Sequence, residues 1–329
     1  MGGSVVRLDL NESPFPPPPE VVEAAKQALQ DVNRYPGKEL VRLLEEELAS
    51  YAGVPRERVV VGCGGDSLLA LLALITSPIK ERRSVYPEYS FTMYEALAEE
   101  AGFNVKRVPM RPSGDWWVLD EDALFSLARD ASIIFIDLPN NPTGSLLISP
   151  RRVAELAEEA RGLVIADEAY YEFSGVTVAS LAESYDNLVV VRTLSKAFSM
   201  AGLRVGYTIA PKEVASKLRR LTPFPTSKPG IAAALEALRR LDYVSRVVAH
   251  VRRWREVLRE RLNSMGAKAY NSHANFILVD FKVANATEKL AKKGIIVRKT
   301  MLGDNYARVT VGSESDNEAF LEAAREVLG

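Results

Sequence analysis

Cysteine and histidine are nearly missing from this chain. One cysteine, Cys63, in 329 residues excludes an internal disulfide, and two histidines are too few for a dedicated Cys/His zinc centre. Long apolar runs are missing as well. The longest, Leu68–Ile75, has eight residues, whereas a membrane span needs about 20. Neither sign of charge is in excess: 42 Lys and Arg against 43 Asp and Glu leave a net charge of −1. That balance removes the overall electrostatic case for nucleic-acid binding. The N-terminus lacks the basic-then-apolar pattern of a secretory signal. Met1-Gly2-Gly3 invites myristoylation, but Val6 stands where Ser or Thr is wanted. The expected setting is a reducing cytoplasm, with no membrane, metal or nucleic acid as partner. Glutamine is scarce too, a composition in the direction of heat adaptation.

What is present reads as an α/β chain of about two domains. An extended arm ends in Pro16-Pro17-Pro18, and Pro19 suits the first turn of a helix to about Gln30. Leu40, Leu43, Leu44, Leu48 and Tyr51 mark a second helix over Lys38–Ala52. Short β-branched runs then follow at Arg58–Val61, Ser84–Tyr86, Asn104–Val108, Ser132–Leu138, Leu163–Ala166, Leu188–Arg192 and Arg204–Ile209. Helical patterns lie between many of them, at Ser67–Ile75, Thr92–Ala101 and Pro150–Ala160. Continuous apolar strands alternating with helices predict a mostly parallel sheet covered on both faces. Near residue 212 the alternation stops. A long helical region over Lys228–Ser264, strands at Asn275–Asp280, Ile295–Arg298 and Ala307–Val311, and a last helix from about Ser315 predict a smaller α+β domain.

Four segments carry chemistry. Val59–Ser67 runs from a strand through Gly62, Gly64 and Gly65 into a helix, where backbone N–H groups and the helix dipole suit an anion; a tight turn is the plain alternative. Asp137-Leu138-Pro139-Asn140-Asn141-Pro142-Thr143-Gly144 turns the chain at a strand's carboxyl end, where α/β proteins bind ligands. Leu163–Ala166 delivers Asp167 at a strand end, with Tyr170 one helical turn on; capping a helix is the competing role. Lys196 lies among hydroxyls and small residues directly after Leu188–Arg192. There a poorly hydrated amine would lose its proton readily and condense with a carbonyl. Arg204 offers a cationic fork eight residues later.

The order and spacing of these segments resemble the fold-type-I pyridoxal-phosphate (PLP) aminotransferases, above all the histidinol-phosphate aminotransferase branch. The resemblance runs from about Leu8 to Phe320. It is carried by Leu8–Phe15, Arg34-Tyr35-Pro36, Pro139–Gly144, Asp167–Tyr170, Ser195–Phe198, Gly202–Arg204 and Arg308–Gly312. It implies a large PLP-binding domain over 29–225 with a mostly parallel, seven-stranded type of sheet, a small domain over 226–329, and an arm over 1–28 packed on the small domain. Lys196 is then expected to bind PLP covalently and to move the substrate proton. Asp167 would keep the ring nitrogen protonated. Asn141 and Tyr170 would bond the ring hydroxyl, and Tyr89 would stack on the ring. Gly65, Asp66, Ser195 and Arg204 would hold the phosphate, joined by Tyr35 from the other subunit of a homodimer with shared active sites. Arg308 would clamp the substrate carboxylate, Asn11 and Phe15 would line the side-chain pocket, and Arg298 would meet a substrate phosphate. The Asn141-Pro142 bond is expected to be cis.

The implied reaction is a ping-pong transamination of amino acid and 2-oxo acid substrates. Histidinol phosphate and 2-oxoglutarate would go to imidazole-acetol phosphate and glutamate in histidine biosynthesis. An aromatic or broad-specificity aminotransferase and a threonine-phosphate decarboxylase share the scaffold. A nicotinamide-dependent oxidoreductase using Gly62–Gly65 would leave Lys196, Asn141 and Arg308 unexplained. A transcription regulator would need a DNA-binding module ahead of Leu8.

Overall fold

The computed structural model describes residues 5–76 and 82–329. Residues 1–4 of the expected arm, with the Met1-Gly2-Gly3 segment, lie outside them. Strands in chain order are β1 (Val6–Leu8), β2 (Val59–Gly62), β3 (Arg83–Pro87), β4 (Asn104–Val108), β5 (Met110–Ser113), β6 (Trp116–Leu119), β7 (Ile133–Asp137) and β8 (Leu163–Asp167). Then come β9 (Leu188–Thr193), β10 (Gly206–Ile209), β11 (Lys268–Ala269), β12 (Phe276–Asp280), β13 (Ile295–Thr300) and β14 (Gly303–Thr310).

Seven strands make the larger sheet, in the order β2-β10-β9-β8-β7-β3-β4. Pairing from β9 through β4 is parallel, and β10 runs antiparallel to both its neighbours. The runs Ile133–Asp137, Leu163–Asp167 and Leu188–Thr193 are apolar almost throughout because helices cover both faces, so neither set of side chains meets water. From β3 the chain steps outward to β4 and later returns to β7 on the other side. That reversal opens a crevice at the strands' carboxyl ends.

The smaller sheet has the order β1-β13-β14-β12-β11. The arm supplies β1, in parallel register with β13: Val6 faces Ile295 and Leu8 faces Val297. The helix Pro19–Ala28, opened by its proline, packs against the helix Lys228–Leu238. A capping box between Ser313 and Asp316 starts the last helix, Glu314–Leu328.

Several expectations shift. The strand expected from Arg204 begins at Gly206, because Arg204 adopts φ 53° and ends the turn before it. The helix expected from Ser67 begins at Gly64. Lys228–Ser264 is two helices, Lys228–Leu238 and Leu241–Ser264, separated at Arg239 and Arg240. Alternation does not stop at 212, since Lys212–Leu221 is a further amphipathic helix over the larger sheet. The hairpin β5–β6 has exposed Pro112 and Ser113 beside buried Trp117, a pattern too short to read from period alone.

Candidate active site

Loops at the carboxyl ends of β2, β3, β7, β8 and β9 converge on β13, β14 and the arm around a cavity of about 710 Å³, within the range of small-molecule sites. Asn11, Gly65, Asp66, Asn141, Asp167, Tyr170, Ser195, Lys196, Arg204, Arg298 and Arg308 all line it.

Lys196 follows β9 and is half-buried, and its Nζ donates to the Leu10 carbonyl at 3.0 Å. Burial, and next the Arg308 guanidinium, push its amine down to about 8. Asp167, buried at the end of β8, accepts from Tyr94 Oη at 2.8 Å and from the Ala169 N–H at 3.1 Å. Burial pushes its carboxyl up to about 6, against those two donors. Tyr170 Oη accepts from Asn11 Nδ2 at 2.9 Å and Asn141 Nδ2 at 3.4 Å, so its own O–H is left to donate. Burial raises that phenol to about 12, so it stays protonated at neutral pH.

The anion cradle gathers around the helix that follows β2. The helix Gly64–Thr76 turns its first, unbonded N–H groups toward the cavity. Arg204 Nη2 pairs with Asp66 Oδ2 at 3.0 Å, and Thr193 Oγ1 donates to Ser195 Oγ at 2.8 Å. Two glycines allow this approach. A Cβ on Gly64 would come 2.5 Å from Arg204 Nη2, and one on Gly206 would come 2.6 Å from the Gly64 carbonyl carbon. The lodging suits a phosphate: a helix N-terminus, a hydroxyl and a guanidinium line the same cavity as a lysine and a buried acid.

Arg308 stands in the centre of the smaller sheet and is 8% exposed, so it is not an edge residue. Its Nη1 donates to Asn141 Oδ1 at 2.7 Å and its Nη2 to the Asp9 carbonyl at 2.5 Å. Nε has no partner among the described residues. Arg298 is its register partner on β13, exposed at the cavity mouth. Asn11 holds φ 53° and is fixed by Thr310 and Asn275 on the smaller sheet.

Two expected residues lie elsewhere. Tyr89 is not in the cavity wall; its ring meets Trp117 edge-on at 5.7 Å. Phe91 and Tyr94 from the same segment take that place. Phe91 precedes the helix Met93–Glu100, and the turn closed by the Tyr94 N–H on the Phe91 carbonyl brings the two together. Phe15 packs edge-on against His250 at 4.7 Å, outside the wall. Tyr35, expected at the other subunit's site, is 74% exposed on this chain and stacks on Phe224 at 4.1 Å. The cis bond is Leu138-Pro139, not Asn141-Pro142. The chain has already reversed at Pro139, and Asn140 closes the following turn by accepting from the Gly144 N–H. The oxidoreductase alternative also loses its footing: among the described residues β2 is an edge strand beside antiparallel β10, not the opening strand of a parallel unit.

The sequence pattern described as aminotransferase class I and II matches residues 3–324. The histidinol-phosphate aminotransferase of Sulfurisphaera tokodaii is 38% identical over 98% of this chain and 90% of its own length. That of Thermococcus gammatolerans is 40% identical over 100% of this chain and 93% of its own. The solved histidinol-phosphate aminotransferase from Sinorhizobium meliloti, in complex with pyridoxal-5'-phosphate, superposes with a TM-score of 0.89. That match covers 99% of this chain and 91% of the other at 24% identity, a likeness of fold. With a lysine and an acid brought together at the strand ends and relatives matched along their whole length, the chain belongs to the aminotransferase class I and II family.

Proposed function

We propose that this chain is a PLP-dependent aminotransferase that moves an amino group from histidinol phosphate to 2-oxoglutarate. The observation that carries the reading is Lys196, an amine lowered to about 8 in the same cavity as the buried acid Asp167. Bound there, PLP would supply a ring that takes up the electron pair left when the substrate Cα loses its proton. Lys196 would hold the cofactor and carry that proton between carbon atoms. Asp167 would hold a proton on the ring nitrogen, and Tyr94 would orient the carboxylate. Phe91 would cover the ring face. Tyr170 and Asn141 would donate to the ring hydroxyl, and Gly65, Asp66, Ser195 and Arg204 would seat the phosphate. Arg308 would take the substrate carboxylate with a planar fork. Arg298 at the mouth would meet a second anionic group.

The substrate is supported by the names of the relatives matched over nearly their whole length. A homodimer in the cytoplasm belongs to the same reading. The exposed Tyr35–Phe224 stack is an apolar surface that a second copy would cover. So does the division into arm, large and small domains, supported by the separate sheets.

The test is twofold. Purified protein given PLP should acquire a near-ultraviolet to blue absorption band that borohydride bleaches, with the label on Lys196. Its kcat/KM for histidinol phosphate should exceed that for phenylalanine. A ratio below one would make it an aromatic aminotransferase, and carbon dioxide release without amino transfer would make it a decarboxylase.

A further inference from the structure

We propose that Asp137 is a positioning residue: its carboxylate holds the Pro139–Gly144 turn in the shape that presents Asn141 to Arg308 and Tyr170, and so aims the guanidinium at a substrate carboxylate. The last clause rests on the function proposed above; the holding of the turn does not.

Asp137 ends β7, is 2% exposed, and stands in register with Asp167 at the end of β8. Its Oδ2 accepts the backbone N–H of Asn141 at 2.8 Å. Asn140 Nδ2 forks across both carboxylate oxygens, at 3.0 and 3.1 Å, and also reaches the Tyr89 carbonyl. Asn140 Oδ1 then accepts from the Thr143 N–H and hydroxyl. The turn is thus wound around one acid. The bonding continues outward through Asn141 Oδ1 to Arg308 Nη1, and through Asn141 Nδ2 to Tyr170 Oη. Two hydrogen bonds, both through Asn141, therefore join Asp137 to the arginine of the other sheet.

The donors to Asp137 are neutral amides. A buried carboxylate held by neutral groups is costly to keep, and an apolar residue would pack there more cheaply. What an apolar residue lacks is an acceptor for the Asn141 N–H, which would be left buried and unpaired. Asp137 also borders the cavity, but its carboxylate is bonded to Asn140 and Asn141, so its place is explained by the turn it holds.

The full-length chain carrying Asp137→Ala, Asp137→Asn or Asp137→Val decides it. Alanine removes both acceptor oxygens, and asparagine keeps one for the Asn141 N–H. Valine is closer to aspartate in volume and serves if the alanine chain does not fold. In the cofactor-free protein, amides of residues 140–144 should exchange with deuterium about tenfold faster in the alanine or valine chain and near the wild-type rate in the asparagine chain. With PLP bound, KM for glutamate should rise about tenfold in the alanine or valine chain, while kcat stays within about threefold and the bleachable absorbance is unchanged. Equal amide protection in all chains overturns the proposal. So does a joint loss of kcat and cofactor absorbance with KM unmoved. If the wild-type chain transaminates nothing, the function proposed above falls, and the exchange rates still decide whether Asp137 holds the turn.

Discussion

Arg308 and Asn141 are joined by a 2.7 Å hydrogen bond although 167 residues separate them. The bond ties the central strand of the smaller sheet to a turn of the larger one, and it fixes one edge of a guanidinium whose Nε remains unpartnered. Lysine has the charge but not the fork. Arg308→Lys should therefore raise KM for glutamate by about 10- to 100-fold with a smaller change in kcat, read from steady-state kinetics.

Lys196 must lose its proton before its amine can attack a carbonyl. With the amine lowered to about 8, the rate of PLP capture by the cofactor-free protein should rise with pH and reach half its maximum near that value, as followed by stopped-flow absorbance. Lys196→Ala should show no bleachable band at any pH, and its transamination rate should fall by about 10²-fold or more.

Asp167 bears its charge in a dry setting, with Tyr94 on one oxygen and the Ala169 N–H on the other. An amide there cannot stabilise a protonated ring nitrogen. Asp167→Asn should cost about 10³-fold in kcat while KM for the amino donor moves little. A loss confined to KM would remove the acid from the chemistry.

Glu172 is a half-buried acid outside the cavity, with a buried Oε2 unpartnered among the described residues and Oε1 accepting from Tyr51 at 3.3 Å. Burial pushes its carboxyl up to about 7 despite nearby Arg192. A folded-state value above the unfolded one means stability that is full at low pH and lost as pH rises through about 7. Glu172→Gln should thus stabilise the protein by about 2 kcal/mol at pH ~8 and change little at pH ~5, measured as Tm.

Gly206 lets β10 pass beneath the anion cradle. A methyl group would stand 2.6 Å from backbone, which has no rotamer by which to give way. Gly206→Ala should destabilise by about 1–3 kcal/mol and weaken PLP binding through a displaced Gly64–Gly65 backbone, checked by thermal melting and cofactor titration.

Much of this was legible in the chain alone. Asp167 and Lys196 each follow a largely apolar strand, and such strands are buried, so their ends are where polar residues can face a ligand. Turn chemistry placed Asn141, and glycines placed the anion cradle. Periodicity was less able to choose between neighbours. Tyr89 and Phe91 are both aromatic residues after the same strand, and the start of the helix Met93–Glu100 decides which of them enters the cavity. The Leu138–Pro142 stretch offers two prolines, and local pattern does not say that the bond before Pro139 is the cis one.

The succession of strands along the chain, the residue types at their ends and the scarcity of cysteine and histidine were properties of the sequence by itself, because they follow from local pattern and composition. The lowered lysine, the raised acids and the bond from Arg308 to Asn141 belong to the tertiary structure. They depend on which water is excluded and which distant groups meet, and neither is encoded in any one segment: Asn11 reaches Tyr170 across 159 residues only because both sheets have formed.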